Sequence, residues 1–411
     1  MSNRRLFVSG VAVAATLIAA PASRAQGFVE AFGREWDVNS SIGTELRAFP
    51  FAPQYADQAD RYWQPSTQFE SEIVTEFGDG DYRLTITPYV RLDAVDSARS
   101  HADLRALNVL RFGDGWDAVA GIDKVFWGVT ESVHLVDIIN QTDNVEDIDG
   151  EDKLGQPMLN LNFYPEWGTV NLFALPYFRE RPFTDAESRL RGPVAVDRHK
   201  ASYDSPMNEG HPDFAARFSR VFGDVDVGIS HFHGTSREPR FQYDFARNVL
   251  VPHYDIIDQT GLDLQYTTDA WLWKFEGIGR GGHGDYFFAG VGGFEYTLYQ
   301  ILERDWDLGL LTELQWDGRD LDDAPGVVSD NDIFLAGRLA LNDTQDTEFL
   351  AGGSLDWDTG AISFGLEAAR RLNDDWSVEV ESRWSFDVPS DDLASGFRSD
   401  DFITLRLTRY F

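Results

Sequence analysis

The densest group of reactive side chains in this sequence is acidic. Asp143, Glu146, Asp147, Asp149, Glu151 and Asp152 fall within ten residues, and Arg179, Arg181, Arg189, Arg191, Arg198 and Lys200 follow in a second polar stretch. Carboxylates facing guanidiniums across water set up a transverse field that orders dipolar solutes and screens them by charge. The competing reading is two solvated surface loops. Asp147-x-Asp149-Gly150 invites a calcium reading. With Gly150 as loop position 6, however, Val145 occupies position 1 and Gln156 position 12, and neither is a calcium ligand of that motif. A looser divalent site stays open, from these acids or from Asp317, Asp320, Asp322, Asp323, Asp330 and Asp332. His231-x-His233 puts two imidazoles on one strand face, a spacing that suits zinc or copper. The alternation of Val225, Val227 and Ile229 turns that face outward, so no metal ligand is assigned, and no cofactor is expected. Signatures of catalysis are also missing. There is no G-x-S-x-G elbow, no H-E-x-x-H and no Walker A loop, and without cysteine there is no thiolate chemistry. Ser230 and His231 are strand neighbours and so point to opposite faces. No catalytic residue is assigned, and the expectation is a protein that is not an enzyme.

Composition narrows the partners. The 411 residues carry 35 Lys and Arg against 69 Asp and Glu, a formal charge of −34. Wrapping an anionic nucleic acid needs clustered cations, so no nucleic-acid partner is expected. Arginine outnumbers lysine 31 to 4. Arginine keeps its charge when partly desolvated and binds carboxylates bidentately, which suits an interior wall of ion pairs.

The elements that must position these groups alternate with period two. Trp306, Leu308, Leu310, Thr312, Leu314 and Trp316 share one face of a strand, and Asp307, Gly309, Leu311, Glu313, Gln315 and Asp317 the other. Trp376, Val378, Val380, Ser382 and Trp384 alternate in the same way with Ser377, Glu379, Glu381 and Arg383. Short turn sequences, from Gly78–Asp81 to Asn373–Asp375, alternate with longer connectors at 50–66, 94–102, 126–156, 179–212, 234–256, 280–285, 318–331, 357–360 and 387–400. That asymmetry predicts an all-β fold: an antiparallel transmembrane β-barrel with short periplasmic turns and long extracellular loops. Nine outer connectors and eight turns give about 18 strands; 16 is the alternative, because 34–49 and 286–298 alternate least clearly. Polar positions Arg91, Glu313, Gln315, Arg338, Glu379, Glu381, Arg383 and Arg406 are expected to line the lumen. Trp36, Trp116, Trp271, Trp306 and Trp376 lie near the periplasmic strand ends and Trp127, Trp316, Trp357 and Trp384 near the opposite ends, as two interfacial girdles require.

Arg4 and Arg5 followed by the apolar run Leu6 to Ala20, then Ser23-Arg24-Ala25, predict a signal peptide over 1–25 cleaved after Ala25, leaving the barrel as 26–411. The final segment Phe402 to Phe411 places Ile403, Leu405, Leu407 and Phe411 on one face. It resembles the insertion signal of bacterial outer-membrane barrels, with Phe411 as its closing residue and Arg409 as a departure from the pattern. The segments Lys124-Val125-Phe126-Trp127-Gly128, Asp137-Ile138-Ile139-Asn140 and Asp143 resemble porin-like barrels with a Trp-Gly…Asp-x-x-Asn outer loop. Over most of its length after the signal, the chain is similar to a proteobacterial family of outer-membrane porin-like β-barrels. The resemblance implies the outer membrane of a Gram-negative bacterium. The expected partners are outer-membrane lipid and lipopolysaccharide, the barrel-assembly machinery and, from the hydrated lumen, small hydrophilic solutes.

Two functions follow. The first is a channel for passive or selective diffusion of small hydrophilic solutes. In that reading loop 126–156 folds into the lumen, and its acids face arginines of loop 179–212 or of the wall. The second is a structural or adhesive surface barrel without transport activity.

Overall fold

The computed structural model describes the backbone of residues 27–31 and all of residues 34–411. The expected signal peptide and cleavage point lie outside the described residues. Eighteen antiparallel strands close into one barrel. They are β1 Arg34–Ala48, β2 Trp63–Phe77, β3 Tyr82–Asp93, β4 His101–Phe112, β5 Trp116–Asp123, β6 Gln156–Phe163, β7 Thr169–Leu175, β8 Asp213–Phe222 and β9 Val225–Thr235. The second half is β10 Ile256–Thr268, β11 Trp271–Gly282, β12 Gly284–Ile301, β13 Trp306–Asp317, β14 Asp332–Ala340, β15 Glu348–Asp356, β16 Ile362–Arg371, β17 Trp376–Phe386 and β18 Phe402–Tyr410. Closure is in register from Ser41 opposite Tyr410 to Ala48 opposite Ile403, and the Phe411 amide donates to the Ser40 carbonyl at 2.9 Å. The segments 34–49 and 286–298 are full strands, so the count is eighteen rather than sixteen.

Each strand turns alternate residues outward. On β13, Leu310, Leu314 and Trp316 are exposed while Leu311, Glu313 and Gln315 are buried. Around the barrel Phe69, Leu92, Phe214, Trp273, Leu335 and Leu405 are between 40% and 66% exposed. Soluble monomers rarely carry contiguous apolar patches beyond a few hundred Å². A belt of such side chains encircling every strand is the surface of a protein embedded in hydrocarbon. His231 and His233 also face outward, bonded to Thr260 and Asp258 on the neighbouring strand. Arg409 lies over the rings of Trp376 and Phe411 at 5.7 and 4.7 Å, which accommodates a cation on the outward face of β18.

Short turns gather at one end and long connectors at the other. The connector between β11 and β12 is a single residue, His283. It is flanked by Gly282 at φ +109° and Gly284 at φ +67°, left-handed conformations that favour glycine. The connector 236–255 carries its own hairpin, Arg240–Asp244 with Val249–Tyr254, whose second strand pairs in parallel with Ser202–Tyr203. Pro88 has no amide hydrogen for the β3–β4 ladder, and the register shifts between Thr87 and Pro88. Arg105 is the extra residue opposite that break, and both it and Ala106 are buried.

Candidate functional site

Loop 3 (residues 124–155, between β5 and β6) folds inside the barrel, and its two halves meet two different walls. The first half is apolar. Trp127, Val136, Ile138 and Ile139 pack on inward residues of β6 to β12, including Phe173, Leu175, Phe232, Ile257, Ile278 and Phe287. Fully burying side chains of this size stabilises by roughly 1.5–3 kcal/mol each. Trp127 therefore does not join a girdle. It is only 5% exposed and lies edge-on to Phe173 at 5.6 Å, because the loop carries it inward.

Two carboxylates of the wall clasp this half. On β11, Glu276 Oε1 accepts from the amides of Val129 and Thr130 at 2.6 and 3.0 Å, and Oε2 from Val136 at 3.1 Å. On β13, Glu313 accepts from the amides of Glu131 and Ser132, both at 2.8 Å. Buried amides need partners, and charge-assisted bonds are the strong ones. Asn140 closes the neck: its side chain accepts from Val125 at 2.8 Å and donates to the Leu154 carbonyl at 2.8 Å.

The second half is acidic, and it meets arginines of the wall. Asp143 pairs with Arg105 at 2.7 Å, Glu146 with Arg91 at 2.7 Å, Asp147 with Arg47 at 3.1 Å, and Asp149 with Arg383 at 3.1 Å. Glu45 ties Arg91, Arg99 and Arg406 together at 3.3, 2.8 and 2.9 Å. Arg99, from the connector 94–100, also donates to the carbonyls of Val145 and Glu146. Glu151 turns back to His134 within the loop, at 2.8 Å.

These contacts set the ionisation of the loop. Burial raises the Asp143 carboxyl, but the His101 and Arg105 contacts outweigh it and hold it below its ordinary value. Burial would lower His134, yet the hydrogen bond and charge of Glu151 lift it to about 9. Asp149 and Asp152 face the remaining lumen. Enclosure by the barrel raises both, with Asp147 pushing Asp149 further and Glu146 pushing Asp152 to about 6.

The arginines of loop 4 (residues 176–212) do not meet these acids. Arg179 pairs with Asp103 at 2.8 Å and donates to the Gly155 carbonyl, and Arg181 donates to Gln141 and to the Arg237 carbonyl. Arg189 pairs with Asp400 at 2.9 Å and Arg191 with Asp57 at 2.6 Å. Arg179 and Arg181 thus touch the end and the middle of loop 3. Arg189 and Arg191 tie together the long connectors 49–62 and 387–401. The wall arginines sit deeper, beside the acids, and leave loop 4 to brace the outer end.

Of the expected lumen residues, Arg91, Glu313 and Gln315 are each 2% exposed beneath loop 3. Arg338 pairs with Glu131 and Glu295 at 2.6 and 3.3 Å. Glu379, Glu381, Arg383 and Arg406 border open space. A cavity of about 590 Å³ runs from the acidic half of loop 3 to the walls of β2, β3 and β14 to β18, lined by ten carboxylates and six cationic side chains. The clasping roles of Glu276 and Glu313, and the loop-holding roles of Arg47, Arg99 and Arg105, were not legible in the sequence. Inward parity marked Glu313 as lumen-facing, but nothing local pointed to backbone amides more than a hundred residues away.

No protein-family model and no curated protein matches this sequence. Among solved structures the chain is similar in fold to OccD3 of Pseudomonas aeruginosa, at 10% identity and a TM-score of 0.50 over 95% of this chain and 93% of that one. It is likewise similar to Wzi, an Escherichia coli outer-membrane protein involved in group 1 capsule assembly and described as a carbohydrate-binding β-barrel. That match has 9% identity and a TM-score of 0.50 over 91% of this chain and 84% of Wzi.

Proposed function

We propose that the protein is an outer-membrane porin-like channel through which small hydrophilic solutes diffuse past a constriction made by loop 3. The observation that carries this reading is the charged cavity of about 590 Å³ between the acidic half of the loop and the wall of β14 to β18, β2 and β3. In this reading Asp143, Glu146 and Asp147 fix the loop to the wall. Asp149, Glu151 and Asp152 face the solute. Ten carboxylates against six cations favour cations over anions. No covalent step is involved. The apolar belt supports an outer-membrane location, with long connectors outside, short turns in the periplasm and Phe411 as the insertion signal. The export signal 1–25 and kinship with proteobacterial porin-like barrels belong to the same reading.

Conductance in planar bilayers tests it. The purified barrel is expected to conduct, with reversal potentials in a salt gradient showing cation preference. Replacing Glu146, Asp147, Asp149 and Glu151 by their amides is expected to reduce that preference. The effect should shrink in 1 M salt, where the Debye length is about 3 Å. A barrel that inserts but does not conduct would overturn the channel and favour a surface role. The fold similarity to Wzi makes carbohydrate binding by the outer loops the first form of that role to assay.

A further inference from the structure

At the long-loop end, away from loop 3, four potential ligands converge from three connectors: Asp204 from loop 4, His253 and Asp255 from 236–255, and His283 from the one-residue turn. His253 Nε2 lies 3.2 Å from Asp204 Oδ1 and 3.4 Å from Asp255 Oδ1. His283 Nε2 lies 3.7 Å from Asp255 Oδ2. Ligands about 2.0–2.1 Å from a tetrahedral zinc ion stand about 3.3–3.4 Å from one another. Asp204, His253 and Asp255 are therefore already near the edge lengths of such a site, and His283 adjoins it through Asp255.

Two further observations point to a ligand. His283 is only 1% exposed, and neither of its ring nitrogens has a hydrogen-bond partner. A buried polar group left so costs about 1–3 kcal/mol, and native structures rarely leave one without a reason. His253 is the opposite case. Its Nδ1 is engaged by Ser202 Oγ at 2.9 Å, which orients the ring and directs Nε2 at the carboxylates, as the outer hydrogen bonds of metal-bound histidines do.

Charge agrees. Asp255 is gripped by Arg240, Glu238 takes Arg280 and Arg319 at 3.0 and 2.9 Å, and Arg319 also holds Asp317 at 2.7 Å. Asp204 and Asp323 add two further carboxylates in the field of Arg240, Asp323 lying against Gly284. With Arg181 also in the field of Glu238, five acids against four guanidiniums leave a net negative charge that a bound cation offsets. Asp204 is about half exposed at the rim while Asp255 and His283 lie behind it, so an ion has a way in from outside.

We propose that Asp204, His253 and Asp255 bind a divalent transition metal of the zinc type, that His283, beside Asp255, is drawn in as the fourth ligand, and that the ion clips three outer connectors together. The site is independent of whether the barrel conducts. The test uses the full barrel, purified in detergent and stripped with a chelator. Zn²⁺ is expected to remain at one ion per chain after desalting, and Co²⁺ to give the visible absorption of a tetrahedral N/O site. Asp204→Asn and His253→Asn, at the exposed edge, should each weaken Zn²⁺ binding about tenfold or more and remove the Co²⁺ band, with heat-modifiable gel migration confirming a folded barrel. The outward pair is the control: His231→Ala with His233→Ala should retain the ion. No stoichiometric binding, binding that survives both edge substitutions, or binding lost in the His231/His233 variant would each overturn the site.

Discussion

Orientation across the wall can be read one residue at a time. Leu310 is 45% exposed on the outward face of β13, whereas Glu70 of β2 borders the inner cavity. Leu310→Arg is expected to destabilise the barrel by about 2–4 kcal/mol in reversible unfolding from lipid, the cost of a cation near the bilayer midplane. Glu70→Lys is expected to leave the midpoint nearly unmoved; equal losses would mean the two faces are misassigned. Asp152 makes a second prediction. With its carboxyl raised to about 6, it is ionised above that pH and neutral below. Lumen water on the exposed side screens part of that shift. If the barrel conducts, cation preference should fall as pH is lowered through 6. An Asp149→Asn, Asp152→Asn variant should show a smaller fall, since Glu379 and Glu381 still line the cavity, and reversal potentials between pH 5 and 8 decide it.

For loop 3 as an element, the decisive contacts are the clasps rather than the acids. Glu276 satisfies three backbone amides and the Thr130 hydroxyl from one carboxylate. Glu276→Gln offers a single acceptor oxygen in its place, so at least one buried amide loses its partner. The loss is about 2–4 kcal/mol of loop docking, since bonds to a charged group contribute about 1.5–3 kcal/mol each. Protease cleavage at Lys124 and Lys153 should accelerate while the barrel stays folded; an unchanged cleavage rate would assign the docking to the apolar cluster alone.

At the scale of the whole molecule, closure rests on β18 lying against β1 with Phe411 bonded to Ser40. Removing Phe411 is expected to lower the yield of inserted, heat-modifiable barrel, and full yield would deny it a signalling role. The barrel itself was legible in the sequence because its cues are local. Glycine, proline and aspartate mark the turns, and period two marks strands such as β13 and β17. The interior was legible only in part. Phe173, Phe232, Ile257 and Phe287 occupy inward positions where a hydrated lumen predicts polar residues. Their partners, Val136 and Ile139, lie in a loop whose sequence is most conspicuous for its acids. Opposite charge in loops 3 and 4 suggested that they face each other. The arginines that pair with Asp143, Glu146, Asp147 and Asp149 are those of the wall, coming singly from β1, β3, β4 and β17, dispersed along the chain and without any cluster to notice.

Because apolar packing fills the lumen along β6 to β12, the free cross-section is a crescent rather than a disc. A permeating solute would read barely half the circumference. Substitutions on the filled arc act as core mutations and register in stability, while those on the open arc, if the barrel conducts, register in conductance and selectivity. Such a barrel has divided its wall into a foundation and a hydrated surface, and the two can change in sequence almost independently.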